Sequence, residues 1–198
     1  MKNIYLSQTN YLHGPENKNM YLPYAVGCLW AYASKDKYVS DNYTLKEILV
    51  LREDIQKVLD RIESPSVFGF SCYVWNEEYQ LELSRQVKKK FPNCLIIFGG
   101  PQVPDEPKQY LEEHPHIDVC IRGEGEEPFR QILLGKELHT IKGVHTKSVQ
   151  LGHSERIEDL DDIPSPYTNG IFDNLIEKHK DIDWHVMLES NRGCPFRC

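Results

Sequence analysis

The chain has 198 residues, of which 40% are hydrophobic and 27% charged, and a formal net charge of −7. A chain of this length holds one α/β domain with some excess and buries roughly 70% of its unfolded surface, which excludes a disordered polymer. The acidic balance and the lack of a basic stripe interleaved with aromatics argue against a nucleic-acid surface, and no apolar run approaches bilayer length.

Residues 4–6 begin an apolar strand that is expected to break at Ser7-Gln8-Thr9-Asn10. After a loop with His13-Gly14-Pro15, Leu22-Pro23-Tyr24 opens a helix carrying Val26, Leu29, Trp30 and Ala33 at helical spacing. Residues 48–51 read as a short strand before a helix from about Glu53; the alternative makes them the front of that helix. Ser66-Val67-Phe68-Gly69-Phe70-Ser71 is a buried strand, and Asn76 can cap the long helix that Pro92-Asn93 stops. Lys88-Lys89-Lys90 ends that helix on a solvated face favoured by the helix dipole. Residues 94–98 form a further apolar strand, with Asp105 starting the next helix. Residues 117–121 form the last strand of the series, followed by a helix through Leu134.

Apolar strands alternating with helices predict a parallel sheet covered on both faces. Residues 1–137 are therefore read as an α/β domain, a flavodoxin-like doubly wound parallel sheet of strand order 2-1-3-4-5. Beyond Gly135 the texture changes. A small hairpin over 141–151, an acidic Pro-punctuated connector and a short helix near 172–179 make a linker of residues 138–182. His185-Val186-Met187-Leu188 reads as a buried strand in the last segment, 183–198, which carries Cys194 and Cys198 on a Gly/Pro loop.

Ligands of open parallel sheets sit outside the carboxyl ends of the strands. Those ends here carry Thr9-Asn10-Tyr11, Ser71-Cys72-Tyr73, Gly99-Gly100-Pro101-Gln102 and Gly123-Glu124-Gly125. Each glycine taken singly serves a tight turn; together they let a flat, bulky ligand approach the backbone. Neither phosphate-loop fingerprint follows the first strand, which disfavours a phosphate-only ligand. Gly100→Val is expected to block the ligand while leaving the fold largely intact. Cys28, Cys72, Cys94 and Cys120 lie in apolar segments and read as reduced core residues of a cytosolic chain without a signal peptide. Cys194 and Cys198, with three residues between them, can converge on an iron–sulfur cluster.

Arg192-Gly193-Cys194-Pro195-Phe196-Arg197-Cys198 resembles the first two-thirds of the C-x3-C-x2-C signature of radical S-adenosylmethionine enzymes, as if cut inside that motif. Gly99-Gly100-Pro101, Gly123-Glu124-Gly125-Glu126, Leu160-Asp161-Asp162-Ile163-Pro164-Ser165-Pro166-Tyr167 and Leu22-Pro23-Tyr24-Ala25-Val26-Gly27 extend the likeness to nearly the whole chain. The series is similar to the cobalamin-dependent radical S-adenosylmethionine family, whose first domain is a cobalamin-binding Rossmann type. The resemblance implies cobalamin on the four loops named above. It also implies a [4Fe–4S] cluster and S-adenosylmethionine in the full-length protein, with Cys194 and Cys198 as two cluster ligands. Residues from about 183 would begin a truncated (β/α) barrel. The implied activity is most often methyl transfer by way of a 5′-deoxyadenosyl radical and methylcobalamin. A small-molecule or peptide substrate and an electron donor such as flavodoxin or ferredoxin are the implied partners. The chain as given is expected to be inactive and to hold no stable cluster.

One departure stands out. The methionine-synthase-like version of the domain has D-x-H-x-x-G after its first strand; aligned on Gly14, Thr9 stands at the Asp and Tyr11 at the His, with His13 out of register. Cobalamin is thus expected without a protein histidine on cobalt. The residues also leave open a non-catalytic corrinoid-binding or interaction domain, and a flavodoxin-like domain for another cofactor.

Overall fold

In the computed structural model, which describes residues 1–12, 16 and 18–193, the apolar runs pair into one dominant sheet. In chain order the elements are β1 (Lys2–Asn10), β2 (Asn19–Tyr21), α1 (Tyr24–Ser34), α2 (Lys37–Asn42), β3 (Tyr43–Leu51), α3 (Ile55–Arg61) and β4 (Pro65–Ser71). They continue with α4 (Glu77–Lys90), β5 (Leu95–Gly99), α5 (Lys108–Glu113), β6 (Val119–Ile121), α6 (Glu126–Leu133), β7 (Val144–His145), α7 (Asp173–Lys178) and β8 (Asp183–His185). The sheet runs β3-β1-β4-β5-β6-β7. Its first five strands are parallel and follow the expected doubly wound order. The strand β7 joins β6 antiparallel, so the sheet continues past residue 137.

Both faces are buried, as a parallel sheet requires. One core, under α1 and α6, gathers Ile4, Leu6, Val67, Ile97, Phe129 and Leu133. The other, under α3, α4 and α5, gathers Tyr5, Phe68, Phe70, Phe98, Leu83 and Leu111. Side chains alternate across a strand, so Phe68 and Phe70 face one way while Val67, Gly69 and Ser71 face the other. Phe68, Phe70 and Phe98 stack in series, with ring centroids 4.5 and 5.0 Å apart.

Several elements differ from the sequence expectation. The first strand does not break at Ser7. Its polar residues find partners: Ser7 Oγ donates to Gln80 Oε1 at 2.7 Å, and Gln8 Oε1 accepts from the Val26 amide at 3.3 Å near the start of α1. β3 begins at Tyr43, well before residue 48, after the short helix α2. α5 begins at Lys108, because Asp105 is engaged in an ion pair with Arg122 rather than in a cap. Residues 185–188 are not a buried strand. β8 ends at His185, pairs with β2 alone in a separate two-stranded sheet, and leaves Val186 57%, Met187 46% and Leu188 87% exposed. No helix among the described residues is long and apolar enough to cross a membrane.

Asn76 precedes α4 as expected, but its side chain makes no capping bond. Fully buried, it ties strand ends together instead. Nδ2 donates to the Thr9 carbonyl at 3.0 Å and the Ser71 carbonyl at 3.1 Å, while Oδ1 accepts from the Tyr73 amide at 2.9 Å. The carboxyl ends of β1 and β4 are thereby held side by side. Loss of a simple cap costs about 1 kcal/mol, whereas Asn76→Ala leaves buried backbone groups unpaired. The variant should lose about 3 kcal/mol of unfolding free energy in urea titration; a loss near 1 kcal/mol would reduce Asn76 to a cap.

Candidate functional site

Helix α1 leaves β1 toward one face of the sheet and α4 leaves β4 toward the other, so a crevice opens at the carboxyl edge between them. Two cavities lie there. The first, about 320 Å³, runs between α1, α6 and the ends of β4 and β5. The second, about 450 Å³, lies over the end of β1 beside β2. Both are lined by Tyr24, Ala25, Tyr73 and Met187, so the two adjoin in one groove.

The structure brings most of the residues expected from the strand ends to this groove. Ser71, Gly99, Gly100, Gly123 and Gly125 line the first cavity; Thr9, Asn10 and Tyr11 line the second; Tyr73 borders both. Others turn away. Cys72 follows the strand alternation into the opposite core and lines neither cavity. Pro101 and Gln102 stay in the turn, where the Gln102 amide donates to the Cys72 carbonyl at 3.1 Å, and the Glu124 carboxylate is directed at Arg192. His13, Cys194 and Cys198 lie outside the described residues.

The two adjacent glycines differ in use. A Cβ on Gly99 would meet nothing closer than the Ile121 carbonyl at 3.8 Å, so this position is a bare stretch of cavity wall. Gly100 has φ +100° and a Cβ there would stand 2.6 Å from the Cys72 carbonyl oxygen. Gly100 is therefore required by the turn itself, and the expectation that Gly100→Val spares the fold is corrected.

Residues not anticipated as part of a site complete the walls. Gly69, inside β4, lines the first cavity, but a Cβ there would stand 2.8 Å from Leu6 Cδ2, so this glycine answers to the close approach of Leu6. From α1 come Tyr24 and Cys28, which share a side-chain hydrogen bond. Burial pushes the Cys28 thiol up to about 11 against the opposing pull of that bond, and burial likewise raises the Tyr24 hydroxyl. Both stay protonated at neutral pH and serve as walls rather than as nucleophile or base. The linker folds over them. Tyr167 lies roughly parallel to the Tyr24 ring at 6.0 Å, and its hydroxyl donates to the Met187 carbonyl at 2.7 Å. Phe172 and Pro166 press where a side chain at Gly27 would stand.

Two features bear on what the groove can hold. Thr9 is fully buried, yet its Oγ1 has no hydrogen-bond partner among the described residues. An orphaned hydroxyl is costly unless a bound group satisfies it. The bare wall at Gly99 suits a flat ring lying against backbone. At the rim, Tyr73 and Trp75 stack at 4.5 Å, and no histidine lines either cavity among the described residues.

A doubly wound sheet with a large groove at its carboxyl edge defines an α/β cofactor-binding domain. The family model described as B12 binding domain matches residues 31–133, and the chain belongs to that family. It is 35% identical over 193 residues to the cobalamin-dependent radical SAM methyltransferase TokK of Streptomyces tokunonensis, covering 92% of this chain and 28% of that protein. It is 34% identical to the 2-(S-pantetheinyl)-carbapenam-3-carboxylate methyltransferase of Streptantibioticus cattleyicolor, over 90% of this chain and 28% of that protein. An uncharacterized methyltransferase of Pyrococcus horikoshii is 30% identical over 73% of this chain and 33% of its own length. The chain thus spans under a third of each of these relatives and is homologous to the B12-binding part of radical SAM methyltransferases.

The glycine pair separates ligand from fold. Gly99→Val should weaken hydroxocobalamin binding at least about ten-fold with an unchanged urea midpoint, its isopropyl filling open space. Gly100→Val should instead lose several kcal/mol, roughly, from backbone strain and collision with Cys72. Equal cofactor affinity in a well-folded Gly99→Val variant would remove the glycine wall from the site.

Proposed function

We propose that the joined cavities hold cobalamin, and that within a longer protein this chain is the corrinoid-carrying part of a radical S-adenosylmethionine methyltransferase. The observation that carries this reading is a groove with bare backbone at Gly99 and, among its lining residues, Thr9, whose buried Oγ1 has no partner among the described residues. Family membership and the names of the relatives support it.

Cobalamin, when bound, supplies a methyl group for transfer; the residues of this chain bind and orient it. Thr9 Oγ1 takes a polar group of the corrin periphery, Gly99 leaves room for a flat ring, and the Tyr73–Trp75 pair shields the rim from water. Asn10, Tyr11, Ser71, Gly123 and Gly125 complete the contacts. In the same reading Cys194 and Cys198 are two thiolate ligands of a [4Fe–4S] cluster that would work with S-adenosylmethionine in the longer protein. A small-molecule or peptide substrate and an electron donor such as flavodoxin or ferredoxin belong to this proposal. So does a cytosolic setting, in keeping with four buried cysteines that are all free.

Titration of the chain with hydroxocobalamin, followed by visible absorbance, should show saturable binding of one corrinoid per chain. Flavin mononucleotide should not bind; flavin binding without corrinoid binding would overturn the assignment. Thr9→Val tests the orphaned hydroxyl, since it removes an unpaired buried donor at nearly constant shape. It should stabilise the ligand-free chain by about 1 kcal/mol while weakening corrinoid affinity several-fold. Electron paramagnetic resonance of the bound Co(II) form should lack nitrogen superhyperfine splitting, with the dimethylbenzimidazole base of the cofactor released and no histidine replacing it; splitting that vanished in His13→Ala would give cobalt a histidine ligand.

A further inference from the structure

Arg192 ties the segment after β8 to the domain by bridging three carboxylates. Arg192 Nη1 donates to Glu124 Oε2 at 3.0 Å, Nη2 to Glu126 Oε1 at 2.7 Å, and Nε to Glu189 Oε2 at 2.9 Å. Glu124 belongs to the turn between β6 and α6 and Glu126 opens α6, while Glu189 and Arg192 belong to residues 186–193. The cluster is secluded: the Arg192 side chain is 15% exposed and that of Glu126 only 7%. Burial opposes the charge on Arg192, but hydrogen bonds to Glu126, Glu189 and Glu124 outweigh it and hold the guanidinium charged. A second fastening acts on the backbone, where the Met187 amide donates to the Tyr167 hydroxyl at 3.0 Å.

Both halves of this cluster also face the cofactor groove. Gly125 and Glu126 line the first cavity from the start of α6; Met187, Glu189 and Arg192 line it from the segment. Any ligand that fills the cavity therefore touches both sides of the contact and favours the arrangement in which they meet. A planar guanidinium offers its donors in a fixed fork and can bridge three carboxylates; an ammonium is a point charge that cannot span them. Without the cation, three carboxylates would crowd one another and the contact would open rather than repack.

We infer that Arg192 is a positioning residue: it seats the segment that runs into Cys194 against the cofactor groove, so that corrinoid occupancy and docking of that segment are energetically linked. The inference rests on the cobalamin reading above. Linkage is reciprocal, so a docked segment tightens the corrinoid by the factor with which the corrinoid docks the segment.

Amide hydrogen exchange on the 198-residue chain, with and without hydroxocobalamin, tests this. In the native chain the corrinoid should slow exchange at residues 186–193 about ten-fold, within the usual range of coupling between sites. In Arg192→Lys that slowing should fall below about two-fold, and corrinoid affinity should weaken by the factor lost, as reciprocity demands. Amides of β4 and β5 beside the groove should keep their ligand protection, which a general loss of structure would abolish. Arg192→Met should behave as the Lys variant does; if its β4 and β5 amides exchange freely without ligand, the Lys variant decides. Equal protection of residues 186–193 in native and Lys chains sinks the inference, as does native corrinoid binding without any protection there, and both results leave the cobalamin reading intact. Failure of the native chain to bind the corrinoid sinks both.

Discussion

Everything at the functional edge depends on how the crossovers diverge at the neighbouring strands β1 and β4. A parallel sheet hidden on both faces can meet a ligand only at its ends. The helices after these two strands leave toward opposite faces, so no crossover covers the gap between them. Asn76 reinforces that geometry from inside, by joining the Thr9 carbonyl of β1 and the Ser71 carbonyl of β4 to the loop that follows β4. The groove is a consequence of topology, and one buried amide keeps its two banks together.

Strand alternation then divides the sheet unequally. On one face Phe68, Phe70 and Phe98 fill the space under α4 and α5 with stacked rings. On the other, the same strands end in Ser71 and Gly99, which leave volume unfilled beneath α1 and α6. A well-packed interior tolerates few voids, so empty space walled by glycine and adjoining an unpaired threonine hydroxyl is the mark of a place kept for another molecule. The aromatic face supplies rigidity to a backbone whose other face is bare.

The chain after the sheet returns to close the groove it passed earlier. Tyr167 lies over Tyr24 and holds Met187, Phe172 packs on α1 at Gly27, and Arg192 reaches Glu124 and Glu126. The linker and the segment leading toward the cysteine pair are thus joined to the B12-binding domain by directional polar contacts as well as by packing. Directional contacts specify one arrangement, whereas apolar surfaces alone permit many.

Much of this was legible in the amino-acid sequence. Apolar runs at strand length, helical spacing between them and glycine-bearing strand ends determined an α/β sheet, its strand order and the edge that carries ligands, because periodicity and crossover handedness are local or nearly so. The ordered motifs identified the cobalamin-dependent radical family. Other features were decided only by the tertiary structure. Gly99 and Gly100 look alike in sequence, and the approach of the Cys72 backbone alone separates wall from turn. Ser71 and Cys72 are neighbours that face opposite sides of the sheet. Asn76 binds strand ends instead of capping a helix, and the polar run at Ser7 stays extended because Gln80, far along the chain, satisfies it. Arg192 meets Glu124 and Glu126 more than sixty residues away. Each of these turns on which groups approach through space, and sequence periodicity carries no information about contacts between segments that only folding brings together.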